Sequence, residues 1–576
     1  MPAIPPRRPP SLLLAALLAA CATPPPSATP APAGESYDVI VENGRIVDGT
    51  GAAWLHGDLA IRGDRIAALT PRGGLRGARA TRRVDATNLV VAPGFIDIQG
   101  QSIGQLTFGD GRLVSKVTQG VTTEVLGEGS SLAPATARTQ GDLAGRPAAA
   151  RATLESFRGP RGFDAWLRAM EANGASVNVA SFVGAGTLRQ YGMGEAMGAA
   201  GPAALDSMRT ALANAMQDGA LGLASALIYP PGNFASTEEL VAVARAMAPH
   251  GGLYVTHMRS EADRILEAMD EAIRIGREAR VPVEIFHLKP AGRGNWDKHA
   301  AMLAKIDSAR RAGLDVQADM YPYTAGATGL TACLPPWASA DGRLFENLAD
   351  SAVRARIRAE VAQPATEWEN LCAQAGPESV LVSDLRSPAL RPYAGKRLSE
   401  IAAARGVAPI DAAMDLILGE RRRVETTYFL MDEDNVRRNL QQPWMKIGTD
   451  ATGYDPDSVR GLVHPRAFGT FPRILGRYVR DEGVLTLEDA VRKMTSATAA
   501  RLSLHDRGLL RPGLYADVVV FDPATIVDRA TYEEPLRLST GVRHVWVNGR
   551  QVLADGRHTG AKPGRALRGP GWRGAR

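Results

Sequence analysis

The chain has 576 residues, of which 45% are hydrophobic and 22% charged, which is typical of a globular protein and excludes a disordered or fibrous chain. The net charge of +6 comes from 67 basic residues nearly balanced by 61 acidic ones, and much of the excess lies at the two ends. No stripe of interleaved basic and aromatic residues indicates nucleic-acid binding.

The first 21 residues have the pattern of a secretion signal. Arg7 and Arg8 precede the apolar run SLLLAALLAAC, which is too short to span a membrane and ends in small residues. Residues 18–21 also resemble the lipobox of bacterial lipoproteins. This predicts a lipid anchor on Cys21 as the only membrane contact and a periplasmic or cell-envelope location; an ordinary signal peptide with a chance cysteine is the alternative. Residues 22–36 are rich in Pro and Ala and predict a flexible tether.

Short strand patterns occupy both ends of the remaining chain. Asn43 and Gly44 separate two alternating apolar runs and predict a hairpin turn, and Asn548 and Gly549 do the same near the C-terminus. Two β-rich ends that flank a long centre predict one small β-sandwich domain, built from residues 37–90 and 500–565.

The central part of the chain alternates strand-like runs with amphipathic helices. Eight strands are predicted: LVVAPGFIDI, TTEVLG, SVNVASFVGAG, ALGLASALIY, LYVTHM, VPVEIFHLK, LDVQADMYPY and WMKIGTDA. This predicts an α/β fold with a (β/α)8 TIM-like barrel over residues 91–499; a doubly wound open sheet is the alternative. Helical patterns between about residues 336 and 441 predict an inserted cap. Cys333 and Cys372 are open to pairing in an oxidising compartment, but so few cysteines favour two buried hydrophobic residues.

Polar side chains follow the predicted barrel strands at their carboxyl ends, where barrel enzymes place their chemistry. Glu128 follows the second strand, His257 the fifth, His287 the sixth and Asp450 the eighth. A lone histidine at a strand end is usually a hydrogen-bonded packing residue. Two on adjacent strands, with one anionic ligand, match a catalytic zinc site with three protein ligands and an open position.

Four longer segments resemble the N-acyl-D-amino-acid deacylases (D-aminoacylases) of the metal-dependent amidohydrolase superfamily. They are THMRSEADRILEAMDEAIRIGREARVPVEIFHLKPAG, ALIYPPGNFAS, DMYPYTAGATGLTACLPPW and HPRAFGTFPRILGRYV. The resemblance extends from about residue 37 to residue 560. It implies that His257 and His287 bind zinc, and that Asp450 is the base toward the attacking water and then the acid toward the leaving amine. It also implies four substrate contacts: Tyr229, Lys289, Tyr321 and Arg466.

Two departures from the family pattern concern the metal site. D-aminoacylases have a cysteine ligand in Gly-Asn-Cys-Gly after the second strand, where this chain has GEGSSLAP. Glu128 is the predicted substitute, because carboxylate oxygen also binds zinc; a rim glutamate paired with a base is the alternative. The family's Pro-Gly-Phe-Ile-Asp-x-His-x-His has Gln99 and Gln101 here in place of both histidines. A neutral amide is a poor zinc ligand, so we predict one zinc ion per chain, with both glutamines orienting water or the substrate carbonyl.

Together these patterns predict an exported, zinc-dependent enzyme that hydrolyses the amide bond of small-molecule N-acyl-D-amino acids and releases a carboxylic acid and a free amino acid. A dipeptidase or a cyclic-amide hydrolase of the same superfamily is the alternative among enzymes. A surface lipoprotein that binds acyl-amino acids without catalysis, or a degenerate enzyme that no longer turns over, is the alternative outside them.

Overall fold

The computed structural model describes residues 35–364 and 368–574. The predicted signal segment, the lipobox cysteine Cys21 and most of the predicted tether lie outside the described residues. In the described part we number the strands in chain order: β1 (Ser36–Ile46), β2 (Leu55–Arg62), β3 (Arg65–Pro71), β4 (Arg79–Asp85), β5 (Val90–Pro93), β6 (Phe95–Asp97), β7 (Val121–Leu126), β8 (Asn178–Ser181), β9 (Val183–Gly184), β10 (Gly222–Ala226), β11 (Leu253–His257), β12 (Val283–Ile285), β13 (Val316–Met320), β14 (Gly326–Gly329), β15 (Val380–Asp384), β16 (Glu425–Tyr428), β17 (Met445–Ile447), β18 (Val518–Phe521), β19 (Val542–Val547), β20 (Arg550–Ala554) and β21 (Arg557–His558).

Helices connect most of these strands. The α-helices are Ile103–Thr107, Val114–Val117, Ala137–Gln140, Ala148–Ser156, Gly162–Asn173, Ala185–Met193, Pro202–Asp218, Thr237–Ala244, Ile265–Ala279, His299–Arg311, Leu344–Ala349, Ser351–Val361, Leu371–Ala375, Leu398–Arg405, Pro409–Glu420, Glu433–Leu440, Arg466–Arg473, Leu487–Met494 and Ser496–Arg501. Short 3₁₀ segments are Gly232–Phe234, Arg245–His250, Arg293–Lys298, Leu330–Cys333, Pro336–Gly342, Pro377–Ser379, Arg391–Tyr393 and Pro456–Ser458, and a π-helix covers Ile474–Asp481. Within the described ranges, every helix is too short or too polar to cross a membrane.

A closed ring of parallel strands forms the centre of the molecule. Strands β6, β7 and β8 pair side by side, and a second run has the order β9-β10-β11-β12-β13-β17. Only Phe182 separates β8 from β9, so these two strands occupy one position of the ring. The ring closes where Gly100, after β6, forms a parallel bridge with Ala451, after β17. Each of the eight predicted central strands contributes to this ring, and the predicted α/β barrel is confirmed.

The helix Ile265–Ala279 shows how the sequence pattern produces the outer layer of the barrel. Seven of its residues are buried, and they recur at intervals of three and four: Ile265, Ala268, Met269, Ala272, Ile275, Gly276 and Ala279. This spacing puts them on one face of the helix, which packs against β12. Because helices cover the outside of the barrel while side chains fill its interior, strands such as β10 and β11 are buried throughout.

Both ends of the chain contribute to one nine-stranded sheet. Its order is β21-β20-β19-β18-β5-β1-β2-β3, and β4 pairs with β1 in parallel. The predicted turn at Asn548 and Gly549 is confirmed between β19 and β20, where both residues have positive φ. The predicted turn at Asn43 is wrong: β1 continues through it as a bulge, and the hairpin connection to β2 follows Ile46. The β-sandwich arrangement and the domain boundaries remain predictions.

A separate unit lies between β13 and β17, which are themselves paired in the barrel. It contains the antiparallel sheet β14-β16-β15 and its own hydrophobic core, which includes Leu330, Ile401 and Leu416. We call residues 321–444 the cap segment. The prediction that residues 336–441 are helical is wrong in part, because β15 and β16 lie within them. The preference for unpaired cysteines is also wrong: Cys333 and Cys372 form a disulfide inside the cap segment.

Replacing Cys372 with Ser should destabilise the cap segment, because it opens a loop closed over 39 residues of sequence. The loss of this constraint on the unfolded chain is expected to lower the free energy of unfolding by about 4 kcal/mol. Denaturant unfolding under oxidising conditions measures the difference. A reducing agent should destabilise the unchanged chain by a similar amount and leave the Cys372→Ser variant unaffected; an equal effect on both proteins would contradict the prediction.

Candidate active site

A cavity of about 520 Å³ opens at the carboxyl ends of the barrel strands, between the barrel and the cap segment. Its walls bring together nine residues that we singled out from the sequence: Gln101, Glu128, Tyr229, His257, His287, Lys289, Tyr321, Asp450 and Arg466. The tenth, Gln99, is buried beside this wall and contacts Glu128. The strand order explains the convergence, since parallel strands present their carboxyl ends on one face of a barrel.

Three of these residues form a group that could hold a metal ion: Glu128, His257 and His287. The Oε1 atom of Glu128 lies 3.1 Å from Nδ1 of His257 and 3.2 Å from Nε2 of His287. The ligand atoms of the group all lie within 4.8 Å of one another. Neighbouring ligands in a tetrahedral zinc site with bonds of about 2.0–2.1 Å are about 3.3 Å apart. The donor atoms therefore have the chemistry that zinc requires, and the two distances from Glu128 match the spacing of neighbouring zinc ligands.

The two glutamines that replace the family histidines hold the other oxygen of Glu128. The amide nitrogens of Gln99 and Gln101 donate hydrogen bonds to Oε2 of Glu128 at 2.7 and 2.6 Å. A carboxylate accepts hydrogen bonds only, so it fixes which end of each amide faces it. Oε2 is thereby occupied, and Oε1 is left facing the two histidines. The sequence does not predict this contact between the two glutamines and Glu128.

Asp450 lies next to the group, on the loop after β17. Its Oδ1 accepts a hydrogen bond from the amide of Gln101 at 3.1 Å, and its Oδ2 is 2.9 Å from the Arg466 guanidinium. Burial raises the pKa of Asp450, and the Glu128 carboxylate adds to this effect, while Arg466 opposes it. The net result is a raised pKa, which makes this carboxyl group a better proton acceptor than an ordinary aspartate.

The opposite balance applies to Glu128. Burial acts to raise its pKa, but the contacts with His257 and His287 outweigh burial and hold the pKa well below its ordinary value. The pKa values of the two carboxyl groups are therefore shifted in opposite directions, that of Glu128 downward and that of Asp450 upward. Such a separation suits two carboxyl groups with different chemical tasks.

Two site residues have a strained backbone. Asp450 has φ +46° and His287 has φ +34°, a left-handed region that residues with a Cβ seldom occupy. A hydrogen bond from the His287 backbone N–H to Oδ1 of Asp319 at 2.9 Å stabilises the backbone conformation of His287. Strain of this kind persists only where the surroundings enforce it, and it clusters at functional sites.

A buried ion pair fixes the loop that carries Asp450. The ammonium of Lys116 is 2.5 Å from Oδ2 of Asp97 and donates hydrogen bonds to Oγ1 of Thr449 and the carbonyl of Ala451, at 2.6 and 2.8 Å. Oδ1 of Asp97 accepts from the backbone N–H of Thr449 at 2.8 Å. Residues on both sides of Asp450 are thus anchored to the end of β6, which orients the Asp450 side chain toward the cavity.

The predicted substrate contacts lie around the same opening. The guanidinium of Arg466 lies 4.4 Å from the centre of the Tyr321 ring, and the ammonium of Lys289 lies 5.8 Å from it. The Tyr229 ring contacts His257 edge-on, with ring centres 5.3 Å apart. Burial raises the pKa of Tyr229 far above its ordinary value, so its hydroxyl stays protonated and can donate a hydrogen bond. Two cations and a hydroxyl at one opening suit a ligand with a carboxylate.

We did not assign a role to Glu261 from the sequence, although it follows His257 by four residues. Its Oε2 pairs with the ammonium of Lys289 at 2.6 Å, and its Oε1 lies 2.8 Å from Nδ1 of His287. Burial acts to raise the pKa of Glu261, but Lys289 and the two histidines lower it by more than burial raises it. The net pKa is therefore below the ordinary value, and this carboxylate stays ionised. The four-residue spacing from His257 does not predict these contacts, because His287 and Lys289 follow a different strand.

Comparison with known proteins gives consistent results. Residues 160–553 match the family model described as "Amidohydrolase family". The chain is 38% identical to the D-aminoacylase of Alcaligenes xylosoxydans xylosoxydans over 92% of this chain and 98% of that protein. A solved D-aminoacylase, described as having a binuclear metal centre with one-metal activation and second-metal attenuation, has a TM-score of 0.74 and 37% identity over 92% of this chain and 100% of its own. An N-acyl-D-glutamate deacylase from Bordetella bronchiseptica, in complex with zinc and a phosphonate mimic of the tetrahedral intermediate, has a TM-score of 0.74 and 34% identity over 93% of this chain and 100% of its own.

Proposed function

This chain belongs to the D-aminoacylase group of the amidohydrolase family and is a metal-dependent amide hydrolase, and from that premise we propose that it removes the acyl group from N-acyl-D-amino acids with one zinc ion. One observation carries the proposal. The group formed by Glu128, His257 and His287 faces Asp450 across a cavity whose wall also contains Lys289 and Arg466. This arrangement combines a metal site, a proton carrier and a carboxylate-binding surface.

The proposal of a single zinc ion rests on the two glutamines. In the family the corresponding histidines extend the metal site, but here the amides of Gln99 and Gln101 donate to Oε2 of Glu128. Because Oε2 already accepts two hydrogen bonds, it is not free to bind a second metal ion. The related D-aminoacylase described as activated by one metal and attenuated by a second supports a one-metal enzyme.

When bound, zinc supplies a Lewis acid that polarises a carbonyl oxygen and lowers the pKa of water to about 7. The side chains of the protein then have separate tasks. Asp450 takes the proton from the attacking water and returns it to the leaving amine, which its raised pKa favours. Lys289 and Arg466 hold the free carboxylate of the substrate and fix the amide against the metal group.

An assay of paired N-acetyl-D- and N-acetyl-L-amino acids tests the proposal, with the chain beginning at residue 34 and loaded with zinc. Amine release from the D-series that stops when a chelator is added is the expected result. Release from the L-series alone would contradict the handedness. No release from either series, with zinc bound, would overturn the deacylase and favour a dipeptide or cyclic-amide substrate. Saturable binding without product would favour the non-catalytic alternative.

Replacing Arg466 with Ala should raise KM for N-acyl amino acids by about 10- to 100-fold, because a charge-assisted hydrogen bond contributes about 1.5–3 kcal/mol. It should also move the acid limb of the pH–rate profile to higher pH, since Arg466 lowers the pKa of Asp450 and its loss lets that pKa rise. Steady-state kinetics from pH 5 to 9 measure both effects.

The matched control for this variant is a substrate whose carboxylate is replaced by a neutral amide. Its KM should be nearly the same for the Arg466→Ala variant and the unchanged chain, because this substrate has no carboxylate for Arg466 to bind. An equal rise in KM for both substrates would show that Arg466 does not bind the carboxylate, as expected for a cyclic-amide hydrolase.

We also propose that the protein is exported and anchored by a lipid on Cys21. The support is the sequence of residues 1–21, with its basic start, short apolar run and small residues before the cysteine. Labelling of the full chain with radioactive palmitate in a bacterial host tests this. Label that disappears in a Cys21→Ser variant is the expected result, and an unlabelled full chain would refute the anchor.

A further inference from the structure

Each histidine of the metal group has one ring nitrogen directed at Glu128 and a second nitrogen directed away from it. The second nitrogens are Nδ1 of His287 and Nε2 of His257, and both face the carboxylate of Glu261. The distances are 2.8 Å from His287 Nδ1 to Oε1 and 3.6 Å from His257 Nε2 to Oε2. Glu261 is only 3% exposed, so water does not compete for these contacts.

The tautomer of a histidine decides whether it can bind a metal. A neutral imidazole carries one proton, so the nitrogen that faces the metal has a free lone pair only if the other nitrogen carries the proton, and an acceptor at that other nitrogen favours this tautomer. Within the described residues, Nε2 of His257 is buried without a hydrogen-bond partner and lies 3.6 Å from Oε2 of Glu261, whereas Nδ1 of His287 has Oε1 of Glu261 at 2.8 Å. The outer nitrogens of both histidines thus have the same buried carboxylate as their nearest anionic acceptor.

Lys289 is the competitor for His287. Its ammonium is in hydrogen-bond contact with Nδ1 of His287 at 2.9 Å and can only donate, so this contact favours a ring proton on Nε2, on the side of Glu128. Glu261 meets both competing groups: its Oε1 lies 2.8 Å from the same Nδ1, and its Oε2 pairs with the ammonium at 2.6 Å. A single carboxylate is therefore placed to accept the proton of the histidine and to bind the ammonium that competes for the same nitrogen.

We propose that Glu261 is a positioning residue that sets the metal-binding tautomer of His257 and His287 and competes with Lys289 for the outer ring nitrogen of His287. This inference rests on the proposed zinc site. Sharing one carboxylate between both histidine ligands makes Glu261 a determinant of zinc affinity, although it does not contact the metal position. It also links the metal group to Lys289, which we assign to the substrate carboxylate.

The loop that carries Glu261 is itself anchored. Oε2 of Glu369, in the cap segment, accepts hydrogen bonds from the backbone N–H groups of Glu261 and Ala262 at 2.5 and 3.0 Å, and from the hydroxyl of Ser260 at 2.9 Å. These three bonds fix the backbone of the loop at the point where Glu261 turns toward the histidines. The carboxylate therefore reaches its position without help from a ligand in the cavity.

The test is the zinc affinity of a Glu261→Gln variant, measured by competition with a chromogenic chelator at fixed pH. An amide has one acceptor oxygen and no charge, so zinc binding should weaken by about 10- to 100-fold, as for other partners of metal-bound histidines. Glu261→Asp keeps the charge and should recover part of the loss. Glu271→Gln is the matched control, because Glu271 pairs with Arg259 at 2.8 Å and contacts neither histidine. The zinc affinity of the Glu271→Gln variant should stay within about threefold of that of the unchanged chain.

A second pair of variants covers the case in which Glu261→Gln leaves Lys289 buried without its partner and fails to fold. The double variant Glu261→Gln/Lys289→Met lacks both charges of this pair, and in Lys289→Met the Glu261 carboxylate keeps Nδ1 of His287 at 2.8 Å as a partner. The double variant should bind zinc about 10- to 100-fold more weakly than Lys289→Met. Equal affinities within this pair, or for Glu261→Gln and the unchanged chain, would refute the role of Glu261 while the zinc site stands. An unchanged chain that binds no zinc would overturn the proposed function as well.

Discussion

Replacing Asp450 with Asn is expected to lower kcat by about 1,000-fold while leaving one zinc ion bound, because proton transfer by a positioned side chain contributes about 10²- to 10⁴-fold to a rate. The amide of asparagine keeps the size of the carboxyl group and can still accept from Gln101, but it cannot take up a proton. Steady-state kinetics with the preferred N-acyl-D-amino acid measure the loss, and elemental analysis of the purified variant measures the zinc.

Asp455→Asn is the matched control for this prediction. Asp455 lies five residues further along the same loop and pairs with Arg112 at 2.5 Å. The same chemical change there removes a carboxylate from the loop but no group from the cavity wall, so kcat should stay within about twofold of the unchanged chain. Zinc-loaded Asp450→Asn with kcat reduced less than tenfold would show that another group transfers the proton.

The sequence predicted the barrel well because its signal is repeated along the chain. Eight apolar runs alternate with helical periodicity, and helices that cover parallel strands produce such runs. The strand ends then locate the site: His257 is the last residue of β11, and His287 follows β12 by two residues. Parallel topology alone brings such positions onto one face, so their convergence could be predicted without coordinates.

The cap segment and the turn at Asn43 show where local patterns fail. β15 and β16 pair with each other, and β14 pairs with β16, across long sequence separations, so no short window contains the partner that makes them strands. At Asn43, an Asn-Gly pair allows positive φ in a bulge as well as in a turn. Pairing with β2 on both sides of the bulge keeps β1 extended through it.

The arrangement of Glu128 could be predicted only in part. Its position after β7 and its carboxylate chemistry follow from the sequence, but the contacts of its two oxygens do not. Gln99 and Gln101 stand where the family pattern has histidines, and their amides donate hydrogen bonds to Glu128, the predicted substitute for a third ligand. Three departures that look like separate losses in the sequence thus belong to one rearranged site. A side-chain network of this kind depends on atomic positions that spacing does not specify.

Glu128→Gln is accordingly expected to remove the metal and the activity together. The change is nearly isosteric, but it replaces an anionic ligand with a neutral amide. The amides of Gln99 and Gln101 then no longer have a charged carboxylate to which they can donate hydrogen bonds. Complete zinc sites bind with about 10–16 kcal/mol, so one ligand of three or four is worth roughly 3 kcal/mol, and zinc binding should weaken by at least about 100-fold. Elemental analysis after dialysis should find zinc in the unchanged chain and almost none in the variant, with amine release falling in proportion.

Glu128→Cys separates the loss of a ligand from the loss of the fold. Cysteine is the residue that supplies the corresponding ligand in the family pattern, and its thiolate is a strong zinc ligand. This variant should keep its zinc, whereas Glu128→Gln should not, although both lose the carboxylate that Gln99 and Gln101 contact. Zinc retained by Glu128→Gln would show that the metal is held by His257 and His287 with some other donor, and that Glu128 is a rim residue paired with a histidine. Zinc lost from both variants, with the metal-free proteins still folded, would mean that the two glutamines require a carboxylate between them, and that the metal site works only as the full set of Gln99, Gln101 and Glu128.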